Sequence, residues 1–86
     1  MPEISRFFGI TIAMYYNEHN PPHFHARYGS YKVEVEIRTL AVLAGSLPPR
    51  AMGMVVEWAS NHQEALMENW NLAQTQDRLR SIHPLE

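Results

Sequence analysis

The stretch HFHARYGSYKVEVEI, from His23 to Ile37, alternates polar and apolar side chains on both sides of Gly29 and Ser30. Such alternation indicates two β-strands that each bury one face. A glycine-first two-residue loop is typical of a type II′ hairpin turn, because glycine accepts a positive φ without steric cost. The turn fixes the register. It therefore predicts these opposed pairs: Tyr28 with Tyr31, Arg27 with Lys32, Ala26 with Val33, His25 with Glu34, Phe24 with Val35, and His23 with Glu36.

The two faces of this predicted hairpin differ sharply in polarity. The face expected to point toward a core carries Phe24, Ala26, Tyr28, Tyr31, Val33 and Val35. The face expected to point outward carries His23, His25, Arg27, Lys32, Glu34 and Glu36. A shift of one residue would place charges among the aromatic side chains, so the pattern favours this register.

Other β-rich runs flank the hairpin. Residues 4–8 and 10–16 predict two strands, or one strand bent at Gly9, and residues 17–22 predict a loop in which two consecutive prolines end the pairing. The apolar run Leu40–Ala44 predicts a last strand that is covered on both faces.

The pattern becomes helical after Ser46. Apolar residues then recur every three or four positions, at Ala51, Val55, Trp58, His62, Leu66, Trp70 and Ala73. This spacing predicts one long helix from about Pro48 to Gln74, with His62 as a packed core histidine. Capping-box spacing within residues 60–64 leaves open a second helix that starts there.

These elements predict an α+β fold: an antiparallel sheet of four to five strands with one long C-terminal helix packed on one face. Residues 1–76 are expected to form a single α+β domain, and residues 77–86 a polar C-terminal tail with little reason for order. A chain of 86 residues with 45% hydrophobic content fits one core and excludes disorder.

Charge and cysteine content exclude several classes of function. The formal net charge is −2, with seven Lys and Arg, which disfavours a protein that tracks nucleic-acid phosphates. The absence of cysteine excludes disulfides and thiolate chemistry. No apolar run could span a bilayer and no secretory leader is evident, so a cytoplasmic protein without membrane contact is expected.

The two predicted His–Glu pairs form the candidate site, and three uses of it stay open. They can be ordinary cross-strand pairs on a solvated face. They can hold a divalent metal through His23, His25 and either Glu34 or Glu36, with His19 as a further nitrogen ligand. They can also cleave RNA, with His23 and His25 as acid and base and Glu34 in support.

In the RNA-cleavage hypothesis, Arg27 and Lys32 could bind phosphate. They are predicted to oppose each other across the hairpin, which is unfavourable unless an anion or Glu34 compensates. The pair is therefore a sign of an anionic ligand.

Several segments resemble a known family. These are residues 1–10, the segment YYNEHNPPHFHARYG at 15–29, and the later landmarks LPPRA at 47–51, EWA at 57–59 and NW at 69–70. They are similar to small bacterial proteins grouped as domain of unknown function 4160. The resemblance implies gene pairs similar to toxin–antitoxin modules, and hence a small partner protein, but it assigns no catalytic role.

The leading hypothesis is therefore a protein-binding member of a two-protein system. A small ribonuclease and a metal-binding protein are the alternatives, so whether the chain is an enzyme stays open. No cofactor is expected apart from that divalent metal. Homo-oligomerisation stays open, and RNA is not the favoured partner.

Overall fold

The computed structural model describes residues 2–86, whose strands form one antiparallel sheet in chain order. Its strands are β1 (Glu3–Phe7), β2 (Ile10–Ala13), β3 (His23–Tyr28), β4 (Tyr31–Glu36) and β5 (Val42–Ser46). Two helices follow, α1 (Pro49–Ser60) and α2 (Gln63–Gln74). The predicted α+β class and antiparallel sheet are confirmed.

The β3–β4 hairpin has the predicted register at all six positions, from Tyr28 opposite Tyr31 to His23 opposite Glu36. Gly29 adopts the positive φ (59°) that the turn requires. Local sequence was therefore sufficient to fix which residues face each other.

The core lies between one face of the sheet and the helices. Phe24 and Val35 are fully buried, and the Trp58 ring of α1 lies 6.0 Å from the Phe24 ring and 5.4 Å from the Phe7 ring. The prediction that Tyr28 and Tyr31 face this core is wrong, because they are 38% and 50% exposed. Both lie at the turn, beyond the buried cluster.

Strand β5 is exposed at every residue, which overturns the prediction of a strand covered on both faces. It is the last strand of the sheet, and within residues 2–86 no strand pairs with its outer edge. Val42 and Leu43 are 50% and 42% exposed. The apolar composition of this run therefore does not reflect burial within the described chain.

The single long helix is also wrong, since the helix breaks at Asn61 and His62. The amides of these two residues donate to the carbonyls of Trp58 (3.2 Å) and Ala59 (3.0 Å), which tightens the end of α1. Gln63 then donates through Nε2 to the carbonyl of Ile37 at 2.7 Å, in the connection after β4. The second helix that the capping-box spacing left open is present as α2.

The capping residues predicted for that second helix act differently. The side chains of Ser60 and Asn61 bond back to the carbonyl of Glu57, at 2.8 and 3.1 Å. The N-cap of α2 is His62, which makes no side-chain capping bond. His62 is half-buried, with its ring 5.4 Å from that of Trp58.

Residues 77–86 form neither helix nor strand, yet they are packed against the domain. The Ile82 amide donates to the Ile4 carbonyl (2.7 Å), and the Ile82 side chain is 7% exposed. The buried Asn69 amide donates to the Arg80 carbonyl and accepts from the Arg80 amide, both at 2.8 Å. These contacts could not be predicted from the polar composition of the tail.

Candidate metal centre

The loop between β2 and β3 brings a carboxylate to the start of β3. Its two ends are anchored, since the Met14 amide donates to the Pro2 carbonyl (3.1 Å) and the Ile37 amide donates to the Pro22 carbonyl (2.9 Å). The peptide bond between Asn20 and Pro21 is cis. In this folded loop Glu18, which is half-buried, faces the side chains of β3.

Two imidazoles converge on that carboxylate. Glu18 Oε1 lies 3.2 Å from His23 Nε2 and 2.6 Å from His25 Nε2. The two histidines are two residues apart on β3, so they share a face of the strand. One ligand atom from each of the three residues lies within 4.8 Å of the other two.

The ring of His23 has a fixed proton arrangement. Its Nδ1 lies 2.8 Å from the Pro21 carbonyl oxygen, which can only accept, so Nδ1 carries a proton. The ring also packs 5.3 Å from the Trp70 ring of α2, and the residue is 6% exposed. The expectation that His23 points outward into solvent is therefore wrong, because the loop and α2 cover it.

His23 Nε2 is buried without a hydrogen-bond partner among the described residues. Its 3.2 Å approach to Glu18 is close enough for an ion pair but lacks hydrogen-bond alignment. Buried polar atoms are nearly always hydrogen-bonded, so an orphaned one needs a physical reason.

His25 is more accessible. It is half-buried, its Nε2 is within hydrogen-bond distance of Glu18, and its ring meets the Tyr15 ring edge-on at 4.5 Å. These two contacts hold the imidazole in one orientation.

The predicted carboxylates take other positions. Glu34 Oε1 is 3.8 Å from His23 Nε2, near but beyond hydrogen-bond distance. Glu36 accepts from the Thr39 hydroxyl at 3.1 Å, and His19 is exposed in the loop, outside the three-residue group.

Glu18 is the residue that sequence reasoning missed. The only available signal was its place in the loop just before the His-x-His pair, because its approach depends on how that loop closes.

The three side chains approach the dimensions of a metal site, since their ligand atoms lie within 4.8 Å of one another. Zinc lies about 2.0–2.2 Å from nitrogen and oxygen ligands, which separates tetrahedral ligand atoms by about 3.4 Å. The His23–Glu18 separation of 3.2 Å is close to this, and the His25–Glu18 separation of 2.6 Å would have to widen modestly. Three protein ligands would leave a coordination position open.

A shallow depression adjoins the cluster on the face of the sheet opposite the core. Its polar lining comes from Thr11, Tyr15, His25, Arg27 and Lys32, and its volume is about 60 Å³. We call it the open-face depression. Arg27 and Lys32 oppose each other directly in it, as predicted.

A second depression shares His25 and Lys32 with the first and extends toward Glu34 and β5. The polar face is therefore indented on both sides of His25 and Lys32.

Fold and site together define a small α+β protein with a histidine–carboxylate cluster at one end of a five-stranded meander. The family model described as Domain of unknown function (DUF4160) matches residues 9–71, and the chain belongs to that family. This confirms the resemblance noted from the sequence. Searches of the curated proteins and of the solved structures found no match. Within residues 2–86, no helix has the length and apolar character needed to cross a membrane.

Proposed function

We propose that this protein binds a divalent transition-metal ion through Glu18, His23 and His25. The observation that carries the proposal is the buried, unpartnered Nε2 of His23, which faces a carboxylate oxygen 3.2 Å away.

The protonation of His23 explains why a cation fits here. With the proton on Nδ1, a neutral ring leaves the Nε2 lone pair buried within 3.2 Å of the negative oxygen of Glu18, and these two electron-rich atoms repel each other. Protonating Nε2 would remove the repulsion, but the observed alignment is not that of a hydrogen bond. A cation between the two atoms turns both into ligands. The bond from Nδ1 to the Pro21 carbonyl then orients the ring, as backbone carbonyls commonly do for metal-binding histidines.

The donor set restricts the metal. Two imidazole nitrogens and one carboxylate suit Zn²⁺, Fe²⁺ or Co²⁺, whereas Mg²⁺ and Ca²⁺ prefer oxygen ligands. The open coordination position would accept water or a ligand.

The same geometry disfavours the ribonuclease hypothesis. An acid–base pair must bring both groups within hydrogen-bond reach of the substrate. His23 has one ring nitrogen bonded to Pro21 and the other buried, which leaves only His25 accessible.

Titration of metal-free, untagged protein with Co²⁺, followed by calorimetry and visible absorption, tests the metal proposal. We expect one ion per chain. Glu18→Gln keeps the shape but removes a charged ligand, and should weaken binding by at least about 100-fold. Glu34→Gln removes the other nearby carboxylate, whose oxygen is 3.8 Å from His23 Nε2. It should leave affinity within about threefold, because Glu34 lies beyond ligand distance and its 40% exposed side chain is screened by solvent.

Equal affinity in Glu18→Gln and the unaltered protein would overturn the assignment of Glu18. Loss of binding in Glu34→Gln alone would transfer that role to Glu34. Bound metal should also raise the free energy of unfolding, by about 2.7 kcal/mol when the free metal concentration is 100 times Kd.

A second function, protein binding, is supported by the exposed outer edge of β5. An unpaired edge strand with apolar side chains is a template for strand addition by another chain. Val42 and Leu43, at 50% and 42% exposure, would contribute apolar contacts to such an interface. We propose that a small partner protein, in a pair resembling a toxin–antitoxin module, adds a strand here.

Co-expression with the product of the neighbouring gene tests this second proposal. Leu43→Lys should reduce co-purification at least about tenfold, because a charge on an edge strand opposes strand addition. Tyr31→Lys, at the start of β4 and one strand in from this edge, is the matched control and should have no effect. A complex that survives Leu43→Lys but fails with Tyr31→Lys would contradict the assignment. Sedimentation of the protein alone shows whether a second copy occupies the edge instead.

A further inference from the structure

We propose that the surface formed by Ile4, Trp58 and Asn69 is a binding site for an extended peptide, which residues 79–85 occupy as an internal ligand. We call it the tail-binding surface. A partner protein binds there by replacing residues 79–85 with an extended segment of its own that has an aliphatic residue at every third position. The proposal is independent of both functions proposed above, because it uses neither the metal ligands nor β5.

The first support is that Asn69 of α2 binds the backbone of the tail. Its side-chain amide donates to the Arg80 carbonyl and its side-chain oxygen accepts from the Arg80 amide, both at 2.8 Å. Asn69 is 1% exposed, whereas the Arg80 side chain is 72% exposed. This pair of bonds therefore recognises an extended backbone and does not depend on which side chain the residue carries.

Two further backbone bonds come from the other two elements. Trp58 of α1 donates through Nε1 to the His83 carbonyl at 2.8 Å. The Ile82 amide donates to the Ile4 carbonyl of β1 at 2.7 Å. Three elements of the domain thus bind the main chain of one extended segment, and another extended segment can make the same bonds.

The second support is that burial along the tail repeats every three residues. Ile82 is 7% exposed, and Leu79 and Leu85, three residues before and after it, are half-buried. The residues between them are exposed. A period of three is that of a polyproline II helix, whereas side chains on one face of a strand recur every second residue. Pro84 also favours that conformation.

The kind of partner follows from these two supports. Docking of a polyproline II segment on a surface with aromatic side chains is a recurring mode of peptide recognition. Trp58 provides such a ring together with a hydrogen-bond donor. Ile82 belongs to the buried hydrophobic cluster, and Leu79 and Leu85 pack against it. The partner segment therefore needs an aliphatic side chain in place of Ile82, because an unpaired charge buried there is strongly unfavourable.

The tail-binding surface requires an occupant. Without one, the buried side chain of Asn69 would lose two hydrogen bonds and Trp58 Nε1 would lose one, and unpaired buried polar groups are destabilising. A partner therefore exchanges with the tail. Residues 74–78, which join the tail to α2, are all exposed, so the tail can detach at this link without uncovering a buried residue in it.

NMR titration of the full-length chain with a synthetic peptide of residues 77–86 tests the proposal. In the unaltered chain the tethered tail competes at an effective concentration of about the millimolar range, so the peptide should bind weakly. Ile82→Ser in the chain removes the central aliphatic contact of the tail, and should raise peptide affinity at least about tenfold. Binding should shift the signals of the Trp58 indole N–H and the Asn69 side-chain amide.

Matched controls separate the groups involved. Arg80→Gln in the chain alters an exposed side chain and keeps the backbone bonds, so peptide affinity should stay within about threefold of that of the unaltered chain. A peptide with Ile82→Ser should bind the Ile82→Ser chain at least about tenfold more weakly than the natural peptide does. Leu43→Lys, on β5, should have no effect, and a loss of peptide binding in that variant would place the peptide on β5 instead.

Hydrogen exchange in the unaltered chain is a second measurement, which stands even if Ile82→Ser does not fold. The Arg80 and Ile82 amides are bonded to the tail-binding surface, and should exchange at least about 100-fold faster than the bonded amides of β3 because the tail opens locally. Equal protection of tail and β3 would mean that the tail leaves only on global unfolding, and would overturn the proposal.

Two other results would also contradict it. One is equal peptide affinity in the Ile82→Ser and Arg80→Gln chains, which would show that the tail does not compete for the peptide site. The other is a dimer in sedimentation of the unaltered chain that Ile82→Ser abolishes, because the occupant would then be the tail of a second copy and not a partner protein.

Discussion

The two ends of the β3–β4 hairpin share one continuous register but have opposite environments. At the end where β3 begins, His23 and Phe24 are 6% and 0% exposed. At the turn end, Tyr28 and Tyr31 are 38% and 50% exposed, although the alternation of the sequence is the same there. Register is a property of the two strands alone, whereas burial depends on what packs over them.

The covering elements account for the difference. The loop before β3 contributes Glu18 to the first end, and α2 contributes Trp70. The side chains near the turn remain exposed and include the cations of the open-face depression. The proposed metal site therefore belongs to the closed end of the hairpin.

The largest expected effect compares two aromatic residues from the two ends. Phe24→Ala should lower the free energy of unfolding by about 3–5 kcal/mol, because it removes a fully buried ring and leaves a cavity. Tyr31→Ala should cost less than about 1 kcal/mol, because that ring is half exposed. Urea denaturation of both variants provides the measurement, and equal losses would show that the turn is as well packed as the core.

A smaller effect compares two glycines with positive φ. A Cβ at Gly29 (φ 59°) would meet nothing within 4 Å, so Gly29→Ala should cost only the backbone strain of about 1–2 kcal/mol. At Gly45 (φ 74°) the added carbon would lie 2.2 Å from the Lys32 carbonyl oxygen. Gly45→Ala should therefore cost about 2–5 kcal/mol, since overpacking adds to the strain.

The two glycine variants can be measured by thermal denaturation against the same reference protein. If Gly29→Ala lowers the melting temperature more than Gly45→Ala does, close packing of β5 on β4 is not what distinguishes the two positions.

The smallest effect concerns the opposed cations at the open end. Lys32→Gln should raise the free energy of unfolding by a few tenths of a kcal/mol, roughly 0.2–0.5, because it removes a like-charge pair. The gain should shrink as salt is added, since exposed charges are screened. Urea titrations at low and high salt provide the test, and a loss of stability at low salt would mean that Lys32 has a favourable partner in the folded protein.

The hairpin was predictable because its signals are short-range. Alternating side chains and the glycine at position 29 fix which residues oppose each other without reference to any other segment. The pairing of His25 with Glu34 followed from this register, as did that of Arg27 with Lys32. The register did not predict that Glu18 is the carboxylate closest to the histidines.

Glu18 escaped prediction because it approaches the histidines from a loop and not from a neighbouring strand. No periodic pattern specifies how such a loop folds back, and its path depends on bonds such as that from the Ile37 amide to the Pro22 carbonyl. The break between α1 and α2 has the same kind of cause, because the Gln63 side chain is bonded to the carbonyl after β4.

By itself the sequence determined the α+β class, the antiparallel hairpin and its register, because side-chain alternation and turn geometry act between residues close along the chain. Only the tertiary structure decided that Glu18 joins the histidines, that β5 is exposed, that the helix divides and that Ile82 packs against β1. Each of these depends on contacts between segments distant in sequence, whose free energy is gained only when the whole domain has closed.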